Sequence, residues 1–116
     1  MNIVVLRMSA WTLLVSIVVL ALVPLSFRPV TGMPHIVEHS SIFLLTGALF
    51  ALAYQVKVSF FFAAAIIFSV CLELLQSFVP GRHARLSDAV VDAFSACIGI
   101  TIAFMALRLQ QRKMSS

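Results

Sequence analysis

The stretch that decides the fold is ELLQSFVPGRHARLSDAVVD, residues 73–92. It holds three of the chain's four carboxylates, two of its eight Lys and Arg side chains and a Pro-Gly turn, and long apolar runs flank it on both sides. Charged groups at the edge of such runs are costly to place in lipid, so they need partners or water and indicate a functional site. The stretch predicts two helices that meet at a polar loop, with a site beside that loop.

Composition indicates that the whole chain lies in a membrane. Of its 116 residues, 62% are hydrophobic and only 10% are charged, whereas a soluble domain carries about 25% charged residues. A helix needs about 20 apolar residues to cross the bilayer, so there is room for at most about four or five crossings and no soluble domain. The net charge of +4 fits Lys and Arg in cytoplasmic segments, so we predict no nucleic-acid partner. We also predict no cofactor.

Four apolar runs predict an all-α, polytopic membrane protein, a bundle of four transmembrane helices in a single domain, residues 1–116. The helices are expected at about residues 8–27, 36–56, 58–79 and 87–107, followed by a basic tail at 108–116. The first run is longer than a signal peptide's apolar region of about 7–15 residues, so we interpret it as an uncleaved span. Ser87 is the predicted N-cap of the last helix, with Asp88 in its first turn.

Four spans place both termini on the same side of the membrane. That side carries five basic side chains and the other side three: Arg7, Lys57, Arg108, Arg112 and Lys113 against Arg28, Arg82 and Arg85. The positive-inside rule then predicts an N-in, C-in orientation, with the tail anchored to anionic membrane lipid. Trp11 and Tyr54 are interpreted as interface-belt residues.

The alternation of four helices also predicts a polar cluster at the outer end of the bundle. We expect ligand binding there by His39, Glu73, Gln76, Arg82, Arg85, Asp88 and Asp92. Glu73 and Gln76 share a helix face with Ser69, and the face of Asp88 and Asp92 continues through the small residues Ser95, Ala96, Gly99 and Ala103. Small residues at that spacing allow close helix packing in lipid, so both faces are predicted to point into the bundle.

Structural interpretations of the same residues stay open. Glu73 suits an ion pair with Arg82 or Arg85 that locks the helices together, and Asp88 suits a first-turn cap. The two arginines alternatively serve as interface anchors. A carboxylate that binds ligand or carries a proton is the functional alternative for Glu73, and Asp92, a turn deeper, has no capping role.

One short motif suggests metal chemistry. His35, Glu38 and His39 match the H-x-x-E-H pattern, which requires two His ligands for zinc and a Glu as base. A five-residue pattern of this kind often occurs by chance, so we predict no metal. We expect His39 to bond one of the carboxylates instead.

The same residues resemble a known family. The pattern Glu73-x-x-Gln76-x-x-x-Pro80-Gly81-Arg82, followed by Asp88, is similar to the signature of VanZ-like membrane proteins over about residues 35–103. The chain departs from the usual family pattern at His35, Ile36, Asp92 and Ala96. The resemblance implies a bacterial inner-membrane protein of the cell envelope, linked to teicoplanin-type glycopeptide resistance, but it supplies no reaction.

Four functions follow as hypotheses. The first is binding of an anionic or amphiphilic head group at the outer cluster, with a lipid-linked cell-wall precursor or a lipoglycopeptide as ligand. The second is a small proton-coupled multidrug exporter, although the first helix lacks the acid that such exporters carry there. A membrane enzyme and a purely structural subunit are the others, and an oligomer is compatible with all four.

Overall fold

A computed structural model of the chain describes residues 2–22, 35–54, 56–79 and 86–115. These residues form four helices, α1 (Ile3–Leu22), α2 (His35–Ala53), α3 (Val58–Gln76) and α4 (Leu86–Ser115), and the described ranges contain no strand. The prediction of an all-α fold is confirmed. Helices α1, α3 and α4 are long and apolar enough to cross a membrane, and α2 contains the apolar segment Ser40–Ala53.

Helix α2 begins with polar residues, since its first turns contain His35, Glu38 and His39. The helix nevertheless has 19 residues, which at 1.5 Å each gives a length of about 28 Å, close to the bilayer core thickness of about 30 Å. Three of the four predicted spans are therefore supported by length and composition.

Several predicted helix ends are wrong. Helix α1 begins at Ile3 rather than near residue 8, because the side-chain Oδ1 of Asn2 accepts a hydrogen bond from the backbone N–H of Val4 at 2.9 Å and caps the helix. Helix α2 ends at Ala53 rather than near 56, and α3 ends at Gln76 rather than near 79. The backbone N–H groups of residues 77–79 bond carbonyls three residues back, which closes α3 in a tight turn. The predicted end of the first helix and the loop that follows it lie outside the described residues.

The largest difference is in α4, which has 30 residues and includes most of the predicted tail. Segment 108–113 contains Arg, Leu, Gln and Lys, all good helix formers, and no Gly or Pro interrupts it. Cations also suit a helix C-terminus. At the other end, α4 begins at Leu86, so Ser87 lies in the first turn and is not the N-cap, while the first-turn position of Asp88 is confirmed.

The helices pack in the order α1, α2, α4, α3 around the bundle. Helix α4 packs closely against α2 and also against α3, α1 packs mainly on α2, and α1 and α3 contact each other only slightly. The chain direction alternates, since the Arg7 side chain near the start of α1 donates to the Ala53 carbonyl at the end of α2. The Gln76 side chain at the end of α3 likewise donates to the Ala21 carbonyl at the end of α1.

This alternation gives the bundle two chemically different ends. The cationic end holds every Lys and Arg of the described ranges, namely Arg7, Lys57, Arg108, Arg112 and Lys113. The acidic end holds all four carboxylates of the chain, namely Glu38, Glu73, Asp88 and Asp92.

Two glycines allow α2 and α4 to approach closely. A Cβ atom added to Gly47 would lie 2.5 Å from the carbonyl oxygen of Ala96. A Cβ on Gly99 would clash even more severely with the carbonyl oxygen of Leu44. Ala96 and Ala103 on the same face of α4 are buried, as the small-residue pattern predicted.

Candidate functional site

The acidic end divides its carboxylates into two buried and two half-buried groups. Glu73 in the last turn of α3 is 7% exposed, and Asp92 in the second turn of α4 is 3% exposed. Asp88 and Glu38, in the first turns of α4 and α2, are half-buried. Because α3 packs against α4, the two buried acids lie on the ends of neighbouring helices.

Each buried acid belongs to a polar stripe on its helix. On α3 the stripe consists of Ser69, Glu73 and Gln76, and on α4 it consists of Asp92 and Ser95; all five are buried. At 1.5 Å per residue, the stripe on α3 reaches about 10 Å from the helix end toward the middle of the bundle. We call these five residues the polar column. Burying polar groups in an apolar bundle costs free energy unless each finds a partner, and Ser69 Oγ is the one buried polar side-chain atom without a partner among the described residues.

Gln76 has a partner within the bundle. Its side-chain Nε2 donates a hydrogen bond of 3.2 Å to the carbonyl oxygen of Ala21. That carbonyl belongs to the last described turn of α1. Gln76 therefore joins the ends of α3 and α1, a positioning role that sequence reasoning did not assign.

Ser69 differs from four other hydroxyl residues in the helices. The hydroxyls of Thr12, Ser16, Thr46 and Thr101 each donate to the carbonyl four residues earlier. Ser69 is 1% exposed, yet its Oγ has no hydrogen-bond partner among the described residues. It lies one turn deeper than Glu73 on the same face, about 6 Å away along the axis, so its hydroxyl is available to a group that enters the column.

The other predicted ligand-binding groups are not all placed. Arg82, Arg85 and the side chain of His39 lie outside the described residues, as does the side chain of His35. Within the described ranges, no three His, Cys, Asp or Glu side chains are grouped as a metal site would require. The H-x-x-E-H hypothesis is therefore not tested at its two histidines.

A second arrangement, at the cationic end, escaped sequence reasoning. The indole Nε1 of Trp11 donates to the Tyr54 hydroxyl at 2.9 Å, and the Arg7 guanidinium carbon lies 4.7 Å from the Tyr54 ring centre. The Arg7 Nε also donates to the Ala53 carbonyl at 3.3 Å. Trp11 and Tyr54 are thus specific partners in addition to being aromatic residues near a helix end. The spacing of Arg7 and Trp11 by four residues, which places them on one helix face, was the available signal.

A cavity of about 410 Å³ lies between α1 and α3, beside these residues. Its walls are almost wholly apolar. Among the lining residues, three have a polar side-chain atom: Trp11, Thr46 and Tyr54. No carboxylate lines it. The cavity and the polar column are therefore two separate features.

These observations define a helical membrane protein that buries a polar column at one end of its bundle. The chain matches the VanZ/LLP1 family over residues 3–108, nearly its whole length. It belongs to that family, as the motif around Glu73 and Arg82 predicted. No curated protein and no solved structure matches the chain.

Proposed function

We propose that this VanZ/LLP1 family member is a four-span protein of the bacterial cytoplasmic membrane that binds the head group of an anionic or amphiphilic envelope ligand at its acidic end. The observation that carries the proposal is the polar column, and above all the buried Ser69 hydroxyl without a partner in the described ranges. A link to teicoplanin-type glycopeptide resistance follows from the family resemblance.

The fourth span of this proposal is α2. It packs between α1 and α4, so its polar first turns need not face lipid. The positive-inside rule supports an N-in, C-in orientation, because every Lys and Arg of the described ranges is at the cationic end. The acidic end then faces outward, where cell-wall precursors and glycopeptides are found.

The chemistry of the column suits a head group with both donors and anionic groups. Glu73 and Asp92 accept hydrogen bonds from hydroxyl or amino groups, and Ser69 donates one. Arg82 and Arg85 follow α3 in the sequence, and arginine binds phosphate or carboxylate through two parallel hydrogen bonds. A lipid-linked cell-wall precursor or a lipoglycopeptide carries both kinds of group.

A susceptibility panel in a Gram-positive host tests the proposal. It compares empty vector, wild type, Glu73→Gln and Arg82→Ala at matched membrane levels, against teicoplanin, vancomycin and cationic dyes. Glu38→Gln is the matched control, since Glu38 is a half-buried carboxylate at the same end but outside the column. We expect wild type and Glu38→Gln to protect against teicoplanin, and Glu73→Gln and Arg82→Ala to fall to the empty-vector level.

Other outcomes separate the alternatives. Protection against dyes alone, lost in Glu73→Gln, supports the proton-coupled exporter instead. Normal protection by an Arg82→Ala protein that accumulates fully contradicts the proposed head-group site.

A further inference from the structure

The cavity between α1 and α3 points to a second binding site, independent of the polar column. We propose that it holds one acyl chain of an anionic phospholipid, whose phosphate is bound by Arg7 and Lys57 at the cationic end.

The shape and lining of the cavity fit a hydrocarbon chain. Along α3 the lining runs from Phe60 to Phe68, which corresponds to about 12 Å of helix. One leaflet of the bilayer core is about 15 Å thick, half of the whole. A chain that enters at the cationic end thus finds an apolar channel of nearly leaflet depth, with a volume of about 410 Å³, inside the range of about 300–1,000 Å³ that ligand pockets occupy.

The mouth of the cavity holds a cation in a fixed position. Tyr54 and Trp11 line the cavity, and Arg7 stacks on the Tyr54 ring and bonds the Ala53 carbonyl through Nε. These two contacts use the face of the guanidinium and one of its nitrogens. The terminal amino groups have no bond among the described residues, so they can reach a phosphate with little loss of side-chain entropy.

The start of α3 adds two features that favour an anion. Lys57 is exposed and precedes the helix directly, and its side chain makes no capping bond. The first turn of α3 contains no acid, so the positive end of the helix dipole is not neutralised there by a side chain. Val56, the residue before Lys57, lines the cavity, which places this charge beside the apolar channel.

The single tryptophan of the chain makes the site measurable. Full-length protein is reconstituted in phosphatidylcholine vesicles with increasing fractions of either phosphatidylglycerol or phosphatidylcholine that carries a dibrominated acyl chain. Bromine quenches indole fluorescence on contact, and Trp11 lines the cavity. We expect brominated phosphatidylglycerol to quench at a lower mole fraction than brominated phosphatidylcholine.

Two pairs of variants locate the effect. Arg7→Gln should reduce the preference for phosphatidylglycerol by about fivefold, the factor expected for one basic group at an anionic surface. Its control is Arg108→Gln, which removes an exposed charge from the same end and should leave the preference nearly intact. Ala64→Leu fills the cavity and should weaken quenching, whereas Ala63→Leu, on the same exposed part of α3 but outside the lining, should not.

Each contrary result overturns the proposal. Equal quenching by the two lipids in the wild type shows that the cavity has no preference for an anionic head group. Equal losses in Arg7→Gln and Arg108→Gln show only general attraction of the cationic end to the surface. Quenching that is weak for both lipids and rises as the protein is diluted in lipid shows that a second copy of the chain fills the cavity.

Discussion

Ser69 is the residue at which folding and the proposed function make opposite demands. A buried hydroxyl without a partner costs about 1–3 kcal/mol of stability, and the carbonyl four residues earlier, which other helix hydroxyls of this chain use, does not bond it. Under the proposed function this cost has an explanation, because a ligand bound in the column would supply the missing bond.

The Ser69→Ala variant tests that explanation. Without ligand, we expect the free energy of unfolding to stay the same or rise by about 1 kcal/mol, since the substitution removes an unsatisfied polar group. Protection against teicoplanin should fall. Unfolding is measured by detergent titration of the helical circular dichroism, and protection by the susceptibility panel.

Ser16→Ala is the matched control. It removes a serine hydroxyl from α1, a different helix from that of Ser69, and this hydroxyl donates to the Thr12 carbonyl on the same helix. It should leave protection unchanged. A Ser69→Ala protein that is less stable but fully protective assigns the hydroxyl a structural role and removes it from the site.

Gln76 shows why residue identity alone could not assign roles within the cluster. The sequence placed it beside Glu73 on one helix face and predicted ligand binding for both. The structure adds a hydrogen bond from its Nε2 to the Ala21 carbonyl, 55 residues away in the chain. A contact of that kind depends on which helices are neighbours, and helical periodicity contains no information about it.

At the scale of elements, the closest packing is between α2 and α4, where Gly47 and Gly99 face backbone atoms of the other helix. We expect Gly99→Ala to lower the free energy of unfolding by about 1–3 kcal/mol, the usual range for overpacking. The obstructing atom is the Leu44 carbonyl oxygen, and backbone cannot rotate away as a side chain can. The same detergent titration measures the loss.

Ala106→Leu serves as the control, since it enlarges an exposed side chain on α4 and should not change the titration midpoint. If Gly99→Ala unfolds at the wild-type midpoint, the two helices are less tightly packed than the structure shows.

The sequence predicted the number of helices better than the residues at which they begin and end. Four apolar runs sufficed to predict four helices, and the small residues Ala96, Gly99 and Ala103 correctly predicted the packing face of α4. The extension of α4 to Ser115 was missed because charge was taken as the end of the helix, although Arg, Lys and Gln are good helix formers. The cavity could not be predicted, because it depends on α1 and α3 making little contact, a property of the helix arrangement.

At the scale of the whole molecule, the separation of charge has a functional consequence. The acids are at one end and the cations of the described ranges are at the other, and under the positive-inside rule this separation favours the proposed N-in, C-in orientation. An outward acidic end places the polar column where envelope ligands are found. An inward cationic end places the proposed lipid site in the leaflet richest in anionic lipid.

The number of crossings and the orientation can be measured together with three single-cysteine variants. Asn2→Cys, Leu86→Cys and Met114→Cys are made after replacing Cys71 and Cys97 with alanine; all three positions are exposed. With four spans and an N-in, C-in orientation, a membrane-impermeant maleimide should label intact cells only at position 86, and positions 2 and 114 only after lysis.

If α2 does not cross, positions 2 and 114 fall on opposite sides, and only one of them is labelled in intact cells. Labelling of positions 2 and 114 but not 86 reverses the orientation and places the polar column toward the cytoplasm. Partial labelling of all three in intact cells indicates a mixture of orientations. That result favours the exporter, because an antiparallel pair of chains could expose its carboxylates to each side of the membrane in turn. A receptor for an envelope ligand instead needs its acidic end outward in every copy.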